Sequence, residues 1–164
     1  NAEESSFSSS SASGANVALM SIADLQIQCG VNAKKSGWHA DRPSVANVQS
    51  VDDAVKLDKE LLHWQGMKIM LMVSELAEGV EELRAGHLAH ETYYNAANGE
   101  TMPHQVHVEG VPLFKPEGLP SELADTVIRI LDFCHTEEID LQSMIQEKLD
   151  FNQTRGIKHG GKAV

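Results

Sequence analysis

The sequence predicts an all-α protein. Its expected form is a four-helix bundle with a long loop or small hairpin inserted between the second and third helices, assembled as an oligomer. Three observations lead there. Residues 50–86 contain no proline, and Ile69, Val73, Leu76, Ala77, Val80 and Leu83 recur with the 3.6-residue period of a helix. Shorter segments around it carry helix start signals in front of apolar repeats. The long segment also places Trp64, Leu71 and a row of acids on the side away from that repeat. A helix apolar on more than one side is buried in the middle of something. In so short a chain a second copy is the simplest cover, as a homodimer or homotetramer.

Taken in order, residues 1–16 are serine-rich, with a single aromatic residue. They cannot offset the entropy of ordering and are expected to be a disordered tail. Residues 17–164 are expected to form one helical domain, since 164 residues suit a single domain. Residues 17–38 read as the first helix, with Gly30 marking a break or a close approach and Ser36-Gly37 its end. A polar loop follows to Gln49, kept from being helical by Pro43. Ser50 is the expected N-cap of the second helix, with Asp52 and Asp53 favouring its dipole. Residues 87–118 are an insertion containing Pro103, Pro112 and Pro116, with a turn expected near Asn98-Gly99. At about 30 residues it exceeds an ordinary bundle connection and is expected to be functional or mobile. Pro120 opens the third helix, which runs to about Cys134. Asp140 caps the last, from Leu141 to about Gln153.

Composition narrows the function classes. The net charge of −11 argues against a nucleic-acid or anionic-membrane surface. No apolar run is long enough to span a bilayer. Cys29 and Cys134 lie far apart in separate apolar segments. Two such cysteines are not a disulfide framework, so a reducing, cytoplasmic setting is expected.

The acids carry the chemistry. Glu75, Glu78 and Glu82 fall within ~60° of one another on a helix, whereas Glu81 points elsewhere. Glu122 and Asp125 repeat the i, i+3 spacing on the third helix, on the side shared with Arg129. Carboxylates gathered in an apolar setting repel one another and call for a counter-ion. Carboxylate ligation without a neighbouring Cys or paired His favours Mg, or Mn in its place, over Zn. The plain alternative is a set of solvated acids paired with Lys68, Arg84 and Arg129.

Glu75-x-x-Glu78 followed by Glu122-x-x-Asp125, on two helices of a small helical chain, resembles the MazG family of nucleoside triphosphate pyrophosphohydrolases. That family belongs to the all-α group that also holds the dimeric dUTPases and dCTP pyrophosphatases. Gly37-Trp38 and the final stripe Lys148, Asn152 and Arg155 also resemble its pattern, so the similarity spans roughly residues 20–160. The insertion is longer than compact members carry. The resemblance implies Mg-dependent hydrolysis of a nucleoside triphosphate between its α- and β-phosphates, giving a monophosphate and pyrophosphate. It implies Glu75, Glu78, Glu122 and Asp125 as metal ligands. Glu78 or Glu82 would be the base that activates water. Lys148 and Arg155 would clamp phosphates, and Asn152 would hydrogen-bond phosphate or ribose. His63 and Trp64 would stack on or hydrogen-bond the base.

Two other classes fit parts of the pattern. A non-catalytic helical dimerisation or adaptor module would need the acids only as a solvated face. A di-iron carboxylate bundle would draw on Glu60-x-x-His63 and Asp132-x-x-His135. Glu60 and Glu75, however, lie about 22 Å apart along one helix and could not share a cluster within a chain.

Overall fold

The structure, a computed structural model, describes residues 20–155. The expected tail over residues 1–16 lies outside the described residues. Four helices are present: α1 (Ile22–Lys35), α2 (Val51–Arg84), α3 (Leu119–Thr136) and α4 (Leu141–Gln153). Each start has a local cause. Ser21 and Asp24 form a reciprocal capping box on α1. Ser50 accepts from the Asp53 amide at the start of α2, and Asp140 accepts from the Ser143 amide at the start of α4. Pro120 sits in the first turn of α3, where no amide hydrogen is needed. The α2 helix is continuous for 34 residues and runs straight through Gly66. A single 3-10 turn over Val45–Asn47 interrupts the loop before it.

The expectation of an all-α bundle is overturned. The segment between α2 and α3 builds five strands: β1 (Tyr93–Asn95), β2 (Thr101–Met102), β3 (His107–Val108), β4 (Val111–Pro112) and β5 (Lys115–Glu117). They form a three-stranded sheet in the order β2-β1-β5 and a separate β3-β4 hairpin, all antiparallel. The physical reason is in the turns. Asn98-Gly99 closes the first hairpin, with Gly99 in the left-handed region at φ 86°. Glu109 and Gly110, both at positive φ, close the second. Pairing of β1 with β5 ties the two ends of the segment together, which returns the chain to start α3 against α2.

The third helix is the hub, packing against α2 on one side and α1 on the other. Two glycines permit this. Gly79 of α2 meets Leu119 and Glu122 of α3, so the helices come close beside the acids. Gly30 of α1 is buried against His135: a Cβ there would lie 2.7 Å from the His135 Cβ and closer still to its ring. The close approach expected at Gly30 is therefore its role. Gly30→Ala gains up to ~1 kcal/mol of helix propensity but overpacks the contact by about 1–3 kcal/mol. A lowered urea midpoint is expected; an unchanged or raised one would contradict this packing.

Core formation within one chain is slight. Among the described residues the buried apolar side chains are Leu57, Trp64, Leu131 and Cys134. The repeat Ile69, Val73, Leu76, Val80 and Leu83 lies near half exposed, and so do Leu123 and Val127 of α3. Of Leu123, Val127, Ile130, Leu131 and Cys134, the side of α3 whose apolar period marks it as a core face, Leu131 and Cys134 are buried, whereas Leu123 and Val127 are not, and Glu122 and Thr126 are buried nearer the start of the helix. No helix among the described residues is long and apolar enough to cross a membrane.

Candidate metal centre

The close α2–α3 approach at Gly79 sets the acids face to face. Glu75 and Glu78, one turn apart on α2, and Glu122 on α3 each offer a carboxylate oxygen, all within 4.8 Å of one another. The start of α3 fixes Glu122. Gly118 caps it at φ 97°, and a Cβ there would lie 2.5 Å from the Glu91 carbonyl oxygen. Only glycine fits that junction, which locks the first turn of α3 onto the sheet.

The three acids differ in environment. Glu122 is 5% exposed, and no side-chain hydrogen bond or ion pair reaches its carboxylate among the described residues. Burial, then the charges of Glu78, Asp125 and Glu75, push its pKa up. Glu75 is also buried, but Arg129 Nε donates to its Oε1 at 2.6 Å and Nη2 meets the same oxygen. Glu78 is exposed and faces solvent on one side of the group. Three carboxylates this close repel one another, and a cation among their oxygens would offset that repulsion. The donors are all hard oxygens, which fits Mg or Mn.

The other candidate residues divide. Asp125 is not in the group of three. It lines the neighbouring cleft instead, although its charge still acts on Glu122. Glu82 is held apart by the Tyr93 hydroxyl, which donates to both its oxygens at 3.1 and 3.2 Å. Burial and that carboxylate push the Tyr93 pKa up to about 12, so the phenol stays protonated and keeps donating. Glu81 pairs with Arg84 on the surface, as helical geometry requires.

Beside the carboxylates lies a cleft of about 380 Å³, between α1 and α2 with α3 as its floor. Trp38, Trp64 and Phe133 are its aromatic lining, and Asp125 and Arg129 form its border with the acids. Trp64 is buried, and its indole donates to Asp41 at 3.1 Å. The Lys68 ammonium stacks 4.9 Å from its ring and donates to the Trp38 carbonyl at 2.7 Å. His39 meets Asp132 at 2.8 Å, and Arg42 meets Glu137 at 3.1 Å. These contacts strap residues 38–42 across the cleft.

His63 lines a separate, shallower cleft with Lys56, Lys59 and Met67, and shares only Trp64 with the first. Lys148, Asn152 and Arg155 are exposed on α4 and its end, and none of them lines either cleft. Lys148 and Arg155 instead lie 5.6 and 5.8 Å from the Phe151 ring. The residues wanted by a di-iron site are scattered: Glu60 pairs with Lys56, and Asp132 with His39. Sequence reasoning missed Trp38, Asn32 and Cys29 as cleft residues, and Tyr93 and Lys115 near the acids. Trp38 is marked in the sequence only as part of a family-like pattern, its place on the cleft being set by the strap, and the Tyr93 and Lys115 placements depend on sheet pairing, which no local signal marks.

No protein-family model, no curated protein and no solved structure matches this chain.

Proposed function

We propose that the chain is a Mg-dependent nucleotide pyrophosphohydrolase that cleaves ribo- or deoxyribonucleoside triphosphates between the α- and β-phosphates. The observation that carries this is the unpaired, buried Glu122 among Glu75 and Glu78, beside a cleft walled by two tryptophans. The cleft volume lies within the roughly 300–1,000 Å³ range of small-molecule sites. The reading extends the resemblance of the two acidic pairs to the MazG family.

Glu75, Glu78 and Glu122 would hold the cation, with Asp125 at the border of the cleft. A bound Mg supplies charge neutralisation of phosphate oxygens and a lowered pKa for water. Trp38, half exposed, would stack on the base, and the buried Trp64 would back the cleft behind it. Of the two acids named as candidate bases, Glu78 is the freer. It is exposed and bears no ion pair among the described residues, whereas Glu82 is engaged by Tyr93. Glu78 would accept the proton of the attacking water.

The exposed stripe on α2 supports a homo-oligomer, because a chain of this size normally buries a larger core of its own. A non-catalytic dimerisation module is the second reading, favoured by the Glu75–Arg129 pair, which satisfies one acid without metal. Glu75→Gln and Asp125→Asn separate the two readings. Each is expected to abolish Mg-dependent pyrophosphate release with the helical circular dichroism retained. Near-normal release in either variant would remove that residue from the site.

A further inference from the structure

We infer that Arg129 is a built-in competitor of the metal: it neutralises Glu75 until a divalent cation displaces it, and the displaced guanidinium then serves the cleft as an anion receptor. The inference rests on the metal reading above and adds the coupling between cation and phosphate.

Three observations support it. Among the described residues Arg129 is the cation in ion-pair contact with the carboxylate group, and both its Nε and Nη2 converge on one oxygen, Glu75 Oε1. Its guanidinium also faces the Trp38 ring at 5.5 Å, and the side chain lines the cleft. Glu122, within 4.8 Å of the same group, has no such partner. The arginine therefore stands at the junction of the acids and the cleft, attached to the acid side.

A divalent ion ligated by Glu75 and a guanidinium bonded to the same carboxylate oxygen are like charges in contact and repel each other. Metal entry weakens the Arg129 bond to Glu75. The fork of donors is then free on the cleft side, where it suits phosphate oxygens bidentately. Without metal the guanidinium stays on Glu75 and the cleft lacks that free donor. By linkage, an anion that takes up Arg129 strengthens cation binding by the factor with which the cation strengthens anion binding.

The test is calorimetric titration of the nucleotide-free protein with Mn2+, for wild type, Arg129→Met and Arg129→Lys. Removal of the competitor is expected to tighten Mn2+ binding by about tenfold in Arg129→Met, the scale of one charge-assisted hydrogen bond. Arg129→Lys, with a single point of contact, is expected to fall between. If Arg129→Met folds only when Mn2+ is supplied, that is the same result in extreme form. Equal or weaker Mn2+ binding in both variants would overturn the inference, since Arg129 would then orient Glu75 for the metal, and the metal reading would stand. Absence of Mn2+ binding in wild type and variants alike would remove the metal reading and this inference with it.

Discussion

Glu122→Gln is expected to stabilise the metal-free protein and to abolish the proposed Mg-dependent turnover. Both effects have one cause. Glu122 is buried, unpaired and surrounded by Glu75, Glu78 and Asp125. Glutamine keeps its shape and removes its charge, which relieves the repulsion from Glu75, Glu78 and Asp125 and the cost of holding a charge in a largely buried residue. The direction with pH follows. The folded-state pKa of Glu122 is raised above its unfolded value. The group therefore favours folding fully below the ordinary glutamate range, and this contribution is lost as pH rises through the raised value. In EDTA the variant should match wild type at acid pH and melt increasingly above it as pH rises. Mg should reverse the order, raising the melting temperature of wild type and leaving the variant unmoved. Outer-shell partners of a metal are worth about 10–100-fold in affinity or activity, so loss of a ligand should cost turnover at least about 100-fold. A variant that gains no stability at neutral pH would mean that Glu122 is already compensated.

The second large effect concerns assembly. Val73 and Val80 lie on α2 one heptad apart, in the stripe with Ile69, Leu76 and Leu83. Val73→Glu combined with Val80→Glu leaves the acidic side of α2 untouched and places two charges in that stripe. If a second copy covers it, each buried valine contributes about 1.5–3 kcal/mol relative to exposure. The double variant should then lose at least ~3 kcal/mol of association and run as a monomer by light scattering. Its melting temperature should fall and become independent of protein concentration. A wild-type chain that is itself monomeric at micromolar concentration would contradict the proposed homo-oligomer.

What the sequence made legible is what local chemistry decides. Ser50, Asp140 and the proline at position 120 mark helix starts because a cap or a missing amide acts within one turn. That Glu75 and Glu78 share one face was legible because i, i+3 spacing holds in any straight helix; that Glu122 would meet them came from the repeat of the acidic pair on α3, which also put Asp125 in the set. Asp125 has the same i, i+3 spacing from Glu122 yet lines the cleft rather than the group of three, because the seating of α3 against α2, and not the spacing, decides which of the pair meets Glu75 and Glu78. The sheets were not legible, since β1–β5 pairing joins residues 93–95 to 115–117 and no window sees both. Nor was the cleft, whose walls depend on Gly30 seating α1 against His135 and on Lys68 reaching the Trp38 carbonyl. The stripe Lys148, Asn152 and Arg155 shows the converse limit: correct spacing on a helix does not say which way the helix faces.

The most direct test of the central proposal is product analysis by phosphorus NMR. Wild type would be incubated with Mg and a panel of ribo- and deoxyribonucleoside triphosphates, beside Glu122→Gln and an EDTA control. Equal amounts of monophosphate and pyrophosphate from at least one substrate are expected, and neither product with the variant or with EDTA. A diphosphate with inorganic phosphate, or no Mg-dependent product from any substrate, would contradict it.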